Sequence, residues 1–154
     1  AFTLIAGGLL LLLAEKVGRR TKTVADIDTR DGVLIGLAQS AALVPGMSRS
    51  GSTITAGLFL GYTREDAARF SFLLSIPAVV LSGLFQLRDI GAGDGPGATA
   101  TILATLVSFA VGYASIAWLL RFLVGHSTGV FVVYRVALGT LLIVLLATGA
   151  ISAR

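Results

Sequence analysis

The sequence predicts an all-α polytopic membrane protein made of one truncated helix, one re-entrant helix hairpin and three full transmembrane helices. Three observations carry that reading. Only 13% of the 154 residues are charged, against about 25% in soluble domains. Mean hydropathy is +0.91, and the apolar runs 67–87, 99–120 and 130–151 each reach the roughly 20 residues that a bilayer crossing needs. Two shorter apolar runs flank the polar nonapeptide Pro45-Gly46-Met47-Ser48-Arg49-Ser50-Gly51-Ser52-Thr53. Neither can cross alone.

Residues 1–14 read as the tail of a helix. The apolar run from Phe2 to Ala14 is too short to span and lacks the basic stretch that opens a signal peptide. The chain is therefore expected to be a fragment. Residues 15–31 form a loop with Lys16, Arg19, Arg20, Lys22 and Arg30, and Lys and Arg collect on the cytoplasmic side. Its carboxylates, Glu15, Asp26, Asp28 and Asp31, lie scattered among those cations. They read as solvated surface rather than as a metal site.

Residues 32–62 are expected to enter the membrane and return. Gly32 to Val44 reaches only about 20 Å as a helix, and Pro45-Gly46 ends it because proline lacks the donor and clashes with the preceding turn. A second short apolar stretch runs from Ser52 to Tyr62. Half-length helices around a polar break are the pattern of a re-entrant hairpin, with irregular backbone buried in protein or lining a wet cavity. The pairs Gly32 with Gly36 and Gly57 with Gly61 predict close helix packing.

Thr63-Arg64-Glu65-Asp66 resembles a capping box opening the helix 67–87, in which Pro77 predicts a kink. Residues 88–98 make a glycine-rich loop with one cation. The span 99–120 carries Ala104, Ser108 and Gly112 on one face, a turn 121–129 holds the only histidine, His126, and the last span is 130–151. With 15–31 inside, the hairpin returns inside, 88–98 falls outside, 121–129 inside and the C-terminus outside. That arrangement agrees with the positive-inside bias. The net charge of +4 thus concerns sidedness, and nucleic acid is not an expected partner. The absence of cysteine excludes a disulfide framework and thiolate metal ligands.

The nonapeptide, 45–53, carries the chemistry. An arginine at membrane depth costs roughly 2.5 to 3.5 kcal/mol on the insertion scale, and a bound anion would recover it. The Arg49 guanidinium offers a planar fork for bidentate phosphate contact and keeps its charge. Ser48 and Ser50 add hydroxyl donors, while Gly46 and Gly51 let backbone amides approach an anion. The loop leads into a helix N-terminus, where free amides and the dipole favour negative charge. Ser52 and Thr53 lie in that first turn, and Gln39 lies one to two turns before the loop. The plain structural alternative is that Ser50 or Ser52 caps the helix while Arg49 snorkels. Arg135 could reach the loop, but its place near the start of the last span favours snorkelling to the interface.

At these residues the chain resembles a known family. The run 38–44 (AQSAALV) followed by PGMSRSGST is similar to the second signature of the bacterial undecaprenyl-diphosphatases, or bacitracin-resistance proteins, with Pro45, Gly46, Ser48, Arg49, Ser50 and Thr53 at its fixed positions. Further similarity lies in 68–77 (ARFSFLLSIP) and 131–139 (FVVYRVALG). The resemblance implies an enzyme of the bacterial inner membrane that hydrolyses undecaprenyl diphosphate, recycling the lipid carrier of cell-wall synthesis. It implies two inverted repeats, of which this chain holds about one plus flanks. Arg49 would hold the diphosphate, Ser48 and Thr53 would assist in catalysis, and Ser50, Gly46, Gly51, Ser52 and Gln39 would contact substrate. A divalent cation, Mg or Ca, is implied too. Its ligands would lie in a missing N-terminal repeat, because the glutamate-rich first signature is not found here. The implied partners are a polyprenyl diphosphate, the bilayer, that N-terminal repeat and a second copy of the chain. Two other readings stand beside it: half of a phosphorylated-lipid transporter or flippase that binds anions with the same loop, and a structural membrane segment whose loop is only a cap.

Overall fold

The computed structural model describes residues 1–86 and 97–151. The loop expected at 88–98 falls almost wholly outside them. Among the described residues six α-helices follow one another: α1 (Phe2–Val17), α2 (Thr29–Ser40), α3 (Arg49–Phe59), α4 (Arg64–Gln86), α5 (Ala98–Gly125) and α6 (Gly129–Ala147). Three of them, α4, α5 and α6, are long and apolar enough to cross a membrane. The protein is an all-α polytopic membrane protein.

α3 lies at the centre. It packs against α1, α2 and α4, while α6 packs on α1 and α5 on α4. One core cluster joins Leu11, Ala14, Leu58 and Val132, and a second joins Ile35, Tyr62 and Ala67. Close approach depends on glycine where α3 meets its neighbours. A Cβ on Gly57 would sit 2.9 Å from the Ala67 Cβ, and one on Gly18 would collide with the Leu58 carbonyl. The expectation of close packing at the glycine pairs thus holds at Gly57 and is corrected at Gly32, Gly36 and Gly61, since a Cβ on any of these three meets nothing within 4 Å. Gly61 serves backbone geometry instead, with φ +93 in the turn after α3.

The boundaries follow local chemistry. Thr63 opens α4, accepting the Asp66 amide at 3.2 Å and donating its hydroxyl to the Asp66 carboxylate at 2.6 Å; this is half of the expected capping box, because the Thr63 amide donates to the Lys22 carbonyl instead of to Asp66. α4 continues through Pro77 to Gln86. α1 runs three residues beyond the expected Ala14, and α5 runs to Gly125 rather than 120, so Arg121 is helical and the connecting turn is shorter. α6 stops at Ala147, and Thr148 receives the C-terminal cap. His126 ends α5, its ring stacked on Phe122 with centroids 4.2 Å apart.

The carboxylates of 15–31 are the main correction to the sequence reading. Glu15 and Asp31 are buried, not solvated. Glu15 pairs with Arg64 and Arg20 and accepts from Thr128 Oγ1 at 2.8 Å, which ties α1, α4 and the start of α6 together. Asp31 accepts from Lys22 Nζ at 2.8 Å and from the Tyr62 hydroxyl at 2.5 Å, and Lys22 also lies over the Tyr62 ring. Backbone bonds from Thr21 and Lys22 to the Gly61 carbonyl, and from Thr63 to Lys22, strap this loop across the base of the α2–α3 hairpin.

Those contacts give the hairpin base a pH dependence. The Lys22 ammonium and the Tyr62 hydroxyl hold the Asp31 carboxyl below the usual carboxylate range. A depressed value means that the stabilisation is present above the unfolded value of about 3.9 and is lost as pH falls through the folded one. The thermal midpoint in detergent is expected to drop as pH is lowered below about 4, and Asp31→Asn should flatten that drop. Equal pH profiles for the two proteins would show that the clasp contributes nothing.

Candidate functional site

The site is assembled at the tip of the α2–α3 hairpin. α2 ends at Ser40, a single 3₁₀ turn covers Ala41–Leu43, and Gly46 takes φ +89, a conformation that glycine adopts without strain. Thr3 of α1 donates to the Pro45 carbonyl at 2.7 Å and so fixes the turn from outside. The chain then enters α3 at Ser48. Its hydroxyl caps the helix by accepting the Gly51 amide at 3.1 Å. The capping residue is thus Ser48, whereas the structural alternative assigned that task to Ser50 or Ser52.

Adjacent residues on a helix leave on different sides, and the nonapeptide divides accordingly. Ser48, Ser50 and Gly51 line a cavity of about 250 Å³ whose other walls come from α1, α4, α5 and α6. The Ser48 and Ser50 hydroxyls are 3.3 Å apart. Arg49 leaves on the opposite side and lines a second cavity with Ala78, Val79, Ser82, Gly83 and Gln86 of α4. Its Nη1 is buried without a hydrogen-bond partner, as are Gln39 Oε1 and Ser52 Oγ. Thr53 is buried behind the loop. Its Oγ1 lies 3.0 and 3.1 Å from the Arg49 and Ser50 carbonyls and 2.6 Å from Ser71 Oγ, which fastens the first turn of α3 to α4.

The residue that the sequence reading placed elsewhere is Arg135. It does not snorkel. It is buried, at 7% exposure, and its guanidinium reaches into the hairpin tip beside α3. Nε donates to the Leu4 carbonyl at 3.3 Å and Nη2 to the Gly46 carbonyl at 3.4 Å, both long for a charge-assisted bond. Glycines make the room: a Cβ on Gly51 would stand 2.5 Å from Arg135 Nη1, and one on Gly7 would overlap Nη2. The default that an ionisable residue inside a span is functional would have found it. Its position near a helix end pointed the other way.

The electrostatics of this tip are unbalanced. Arg20, Arg64 and Lys22 pair with Glu15 and Asp31, and Arg69 pairs with Glu65. Among the described residues no carboxylate pairs with Arg49 or Arg135. Both lie at the N-terminal end of α3, where the helix dipole already places positive potential and where a cation is unfavourable unless an anion joins it. The Ser48 and Ser50 hydroxyls and the Arg135 guanidinium stand on one side of this end, a donor set for an oxyanion, with the Arg49 guanidinium on the other side. A metal fares differently. No group of three or more His, Asp or Glu side chains converges among the described residues, so the side chains at this tip do not fit a divalent cation.

Comparison with known proteins matches this arrangement to a family. Residues 1–141 match the family described as Bacitracin resistance protein BacA. The chain is 55% identical over 156 aligned residues to a Nocardioides sp. protein named undecaprenyl-diphosphatase, covering 98% of this chain and 56% of that one. It is 57% identical to a Myxococcus xanthus undecaprenyl-diphosphatase, covering 97% and 51%, and 54% identical to undecaprenyl-diphosphatase 3 of Frankia alni, covering 99% and 58%. The chain therefore spans about half the length of the curated relatives it matches. A match to the family over nearly all of a chain whose Arg49 and Arg135 flank the capped start of α3 from opposite sides leads to one conclusion: the chain belongs to the bacitracin resistance protein BacA family.

Proposed function

We propose that this chain supplies the diphosphate-binding part of an enzyme that hydrolyses undecaprenyl diphosphate to undecaprenyl phosphate and inorganic phosphate. The observation that carries the reading is the pair of arginines without carboxylate partners at the N-terminal end of α3. The substrate class comes from the names of the relatives. Arg135, Ser48 and Ser50 hold the anion from one side of α3, and Arg49 approaches from the other. Thr53 positions the loop through Ser71. Gln39 and Ser52, each with an unpaired buried oxygen, are further candidate contacts of the substrate.

Phosphoryl transfer needs a positioned nucleophile as well as charge neutralisation. This chain provides the second. We place the nucleophile, its general base and the ligands of any Mg or Ca ion in the part of the relatives that this chain does not cover. The α2–α3 hairpin is re-entrant in this reading, because α2 and α3, at about 18 and 17 Å, fall short of a bilayer core of about 30 Å. The basic loop faces the cytoplasm of a bacterial inner membrane and the C-terminus lies outside.

The relatives' names favour hydrolysis over transport. The test is phosphate release from undecaprenyl diphosphate by the full-length gene product in detergent, with thin-layer separation of the lipids. The expected result is one phosphate released per lipid and accumulation of the monophosphate. Intact diphosphate, with movement of the labelled lipid between leaflets of a vesicle, would replace this reading by transport.

A further inference from the structure

Between the start of α4 and the end of α5, at the base of the hairpin, lies a further cavity of about 430 Å³. Its charged lining is Arg20, Arg64, Glu65 and Asp66, and its apolar lining is Leu123 and Val124. The charges do not match within it. Arg64 Nε and Arg20 Nη1 both donate to Glu15 Oε1, at 2.5 and 3.3 Å, while Thr128 takes the other oxygen. Two guanidinium groups thus share one carboxylate, and the excess positive charge borders the cavity on side chains that keep 25% and 37% exposure. Asp66 carries the reverse excess. Its carboxylate accepts the Thr63 hydroxyl, and among the described residues no cation pairs with it. Glu65 accepts from Arg69 at 2.7 Å, and Arg69 is not part of the lining. Cations and carboxylates therefore face one space without closing an ion pair across it. An occupant that carries both signs satisfies them together.

Depth in the membrane narrows that occupant. Trp118, the chain's one tryptophan, is 62% exposed on α5, and exposed tryptophan gathers at the membrane–water interface. Leu123 and Val124 follow it on the same helix, about 8 to 9 Å nearer the end of the span. That is the depth of lipid headgroups. Val124 is 66% exposed beside the cavity and gives an acyl chain an apolar edge to follow. We propose that the cavity binds a phospholipid with a phosphoethanolamine headgroup, its phosphate accepting from Arg20 and Arg64 and its ammonium donating to Asp66 and Glu65. A quaternary ammonium is held by aromatic cages, and among the described residues no aromatic side chain lines this cavity. A primary ammonium instead donates hydrogen bonds directly to carboxylates. A headgroup with a phosphate alone would leave both carboxylates facing it without a cation. Bound here, the lipid ties the start of α4 to the end of α5, two helices that already pack on each other.

The test titrates the full-length gene product in detergent with phosphatidylethanolamine, phosphatidylcholine and phosphatidylglycerol of equal chain length, counting bound lipid by native mass spectrometry. Phosphatidylethanolamine should bind about tenfold more tightly than either of the others. Arg20→Gln leaves Glu15 its Arg64 and Thr128 partners and should weaken that binding about tenfold. The double substitution Glu65→Gln with Asp66→Asn should bring phosphatidylethanolamine down to the affinity of phosphatidylcholine. If Arg20→Gln lowers the yield of folded protein, the acidic pair carries the test by itself. Phosphatidylglycerol binding as tightly as phosphatidylethanolamine would mean an anion site and overturn the assignment. Equal retention of all three lipids, unchanged by either substitution, would mean lipid that merely surrounds the protein, and would overturn it as well.

Discussion

Replacing Arg135 by methionine in the full-length gene product is expected to lower kcat/KM for prenyl diphosphate hydrolysis by about 10³-fold while raising thermal stability. The two effects have one cause. Arg135 is buried at the positive end of α3 with only two long hydrogen bonds to backbone carbonyls. Without an anion, burial and the helix dipole both oppose its charge. Methionine keeps much of the volume and removes the charge, which should raise the midpoint of the ligand-free protein by about 2–4 °C for each kcal/mol relieved. With a phosphate in place the same charge lies where transferred oxygens gather negative charge, and removing a donor or cation of that kind costs about 10²- to 10⁵-fold. The stabilisation that pyrophosphate confers on the unsubstituted protein should vanish in Arg135→Met. A variant that is both less stable and fully active would mean that Arg135 merely braces α1 and α6.

The second large effect is expected at Arg49, and here the lysine variant is the informative one. Arg49→Ala should cost about 10²- to 10³-fold in kcat/KM, the range for loss of a charged donor at a reacting oxyanion. Arg49→Lys keeps the charge and loses the planar fork, so it should recover only part of the activity. An arginine that simply reached toward an interface would be replaced by lysine without loss. Phosphate release measured for the three proteins at saturating and subsaturating lipid separates the outcomes. A fall in kcat that exceeds the rise in KM would place the contact in the transition state rather than in binding alone.

How much of this was legible beforehand differs from residue to residue. The break at Pro45-Gly46, the capping of α4 by Thr63 and the three long helices follow from neighbours in sequence, and the structure has them close to where the pattern put them. The burial of Glu15 and Asp31 was not legible in the same way. Glu15 meets Arg64 and Thr128, which are 49 and 113 residues away, and Asp31 meets Tyr62, 31 residues away. A carboxylate among cations looks solvated until a fold brings a distant partner over it. The splitting of Ser48 and Ser50 from Arg49 was available in principle, because helical phase separates neighbours, but which side faced which cavity depended on α4 and α6.

The sequence by itself determined the class of protein and the half-length hairpin with its polar tip, and it raised the expectation that the tip holds an anion. Hydropathy, proline and the fixed charge of a guanidinium act locally, so they can be read one residue at a time. Only the tertiary structure decided that a second arginine, from the last helix, reaches the hairpin tip at the Gly46 carbonyl, and that a mostly apolar cavity lies beside it. Those facts come from packing α6 on α1, through glycines that leave room for a buried side chain. Contacts between surfaces far apart along the chain leave no local trace that periodicity could reveal.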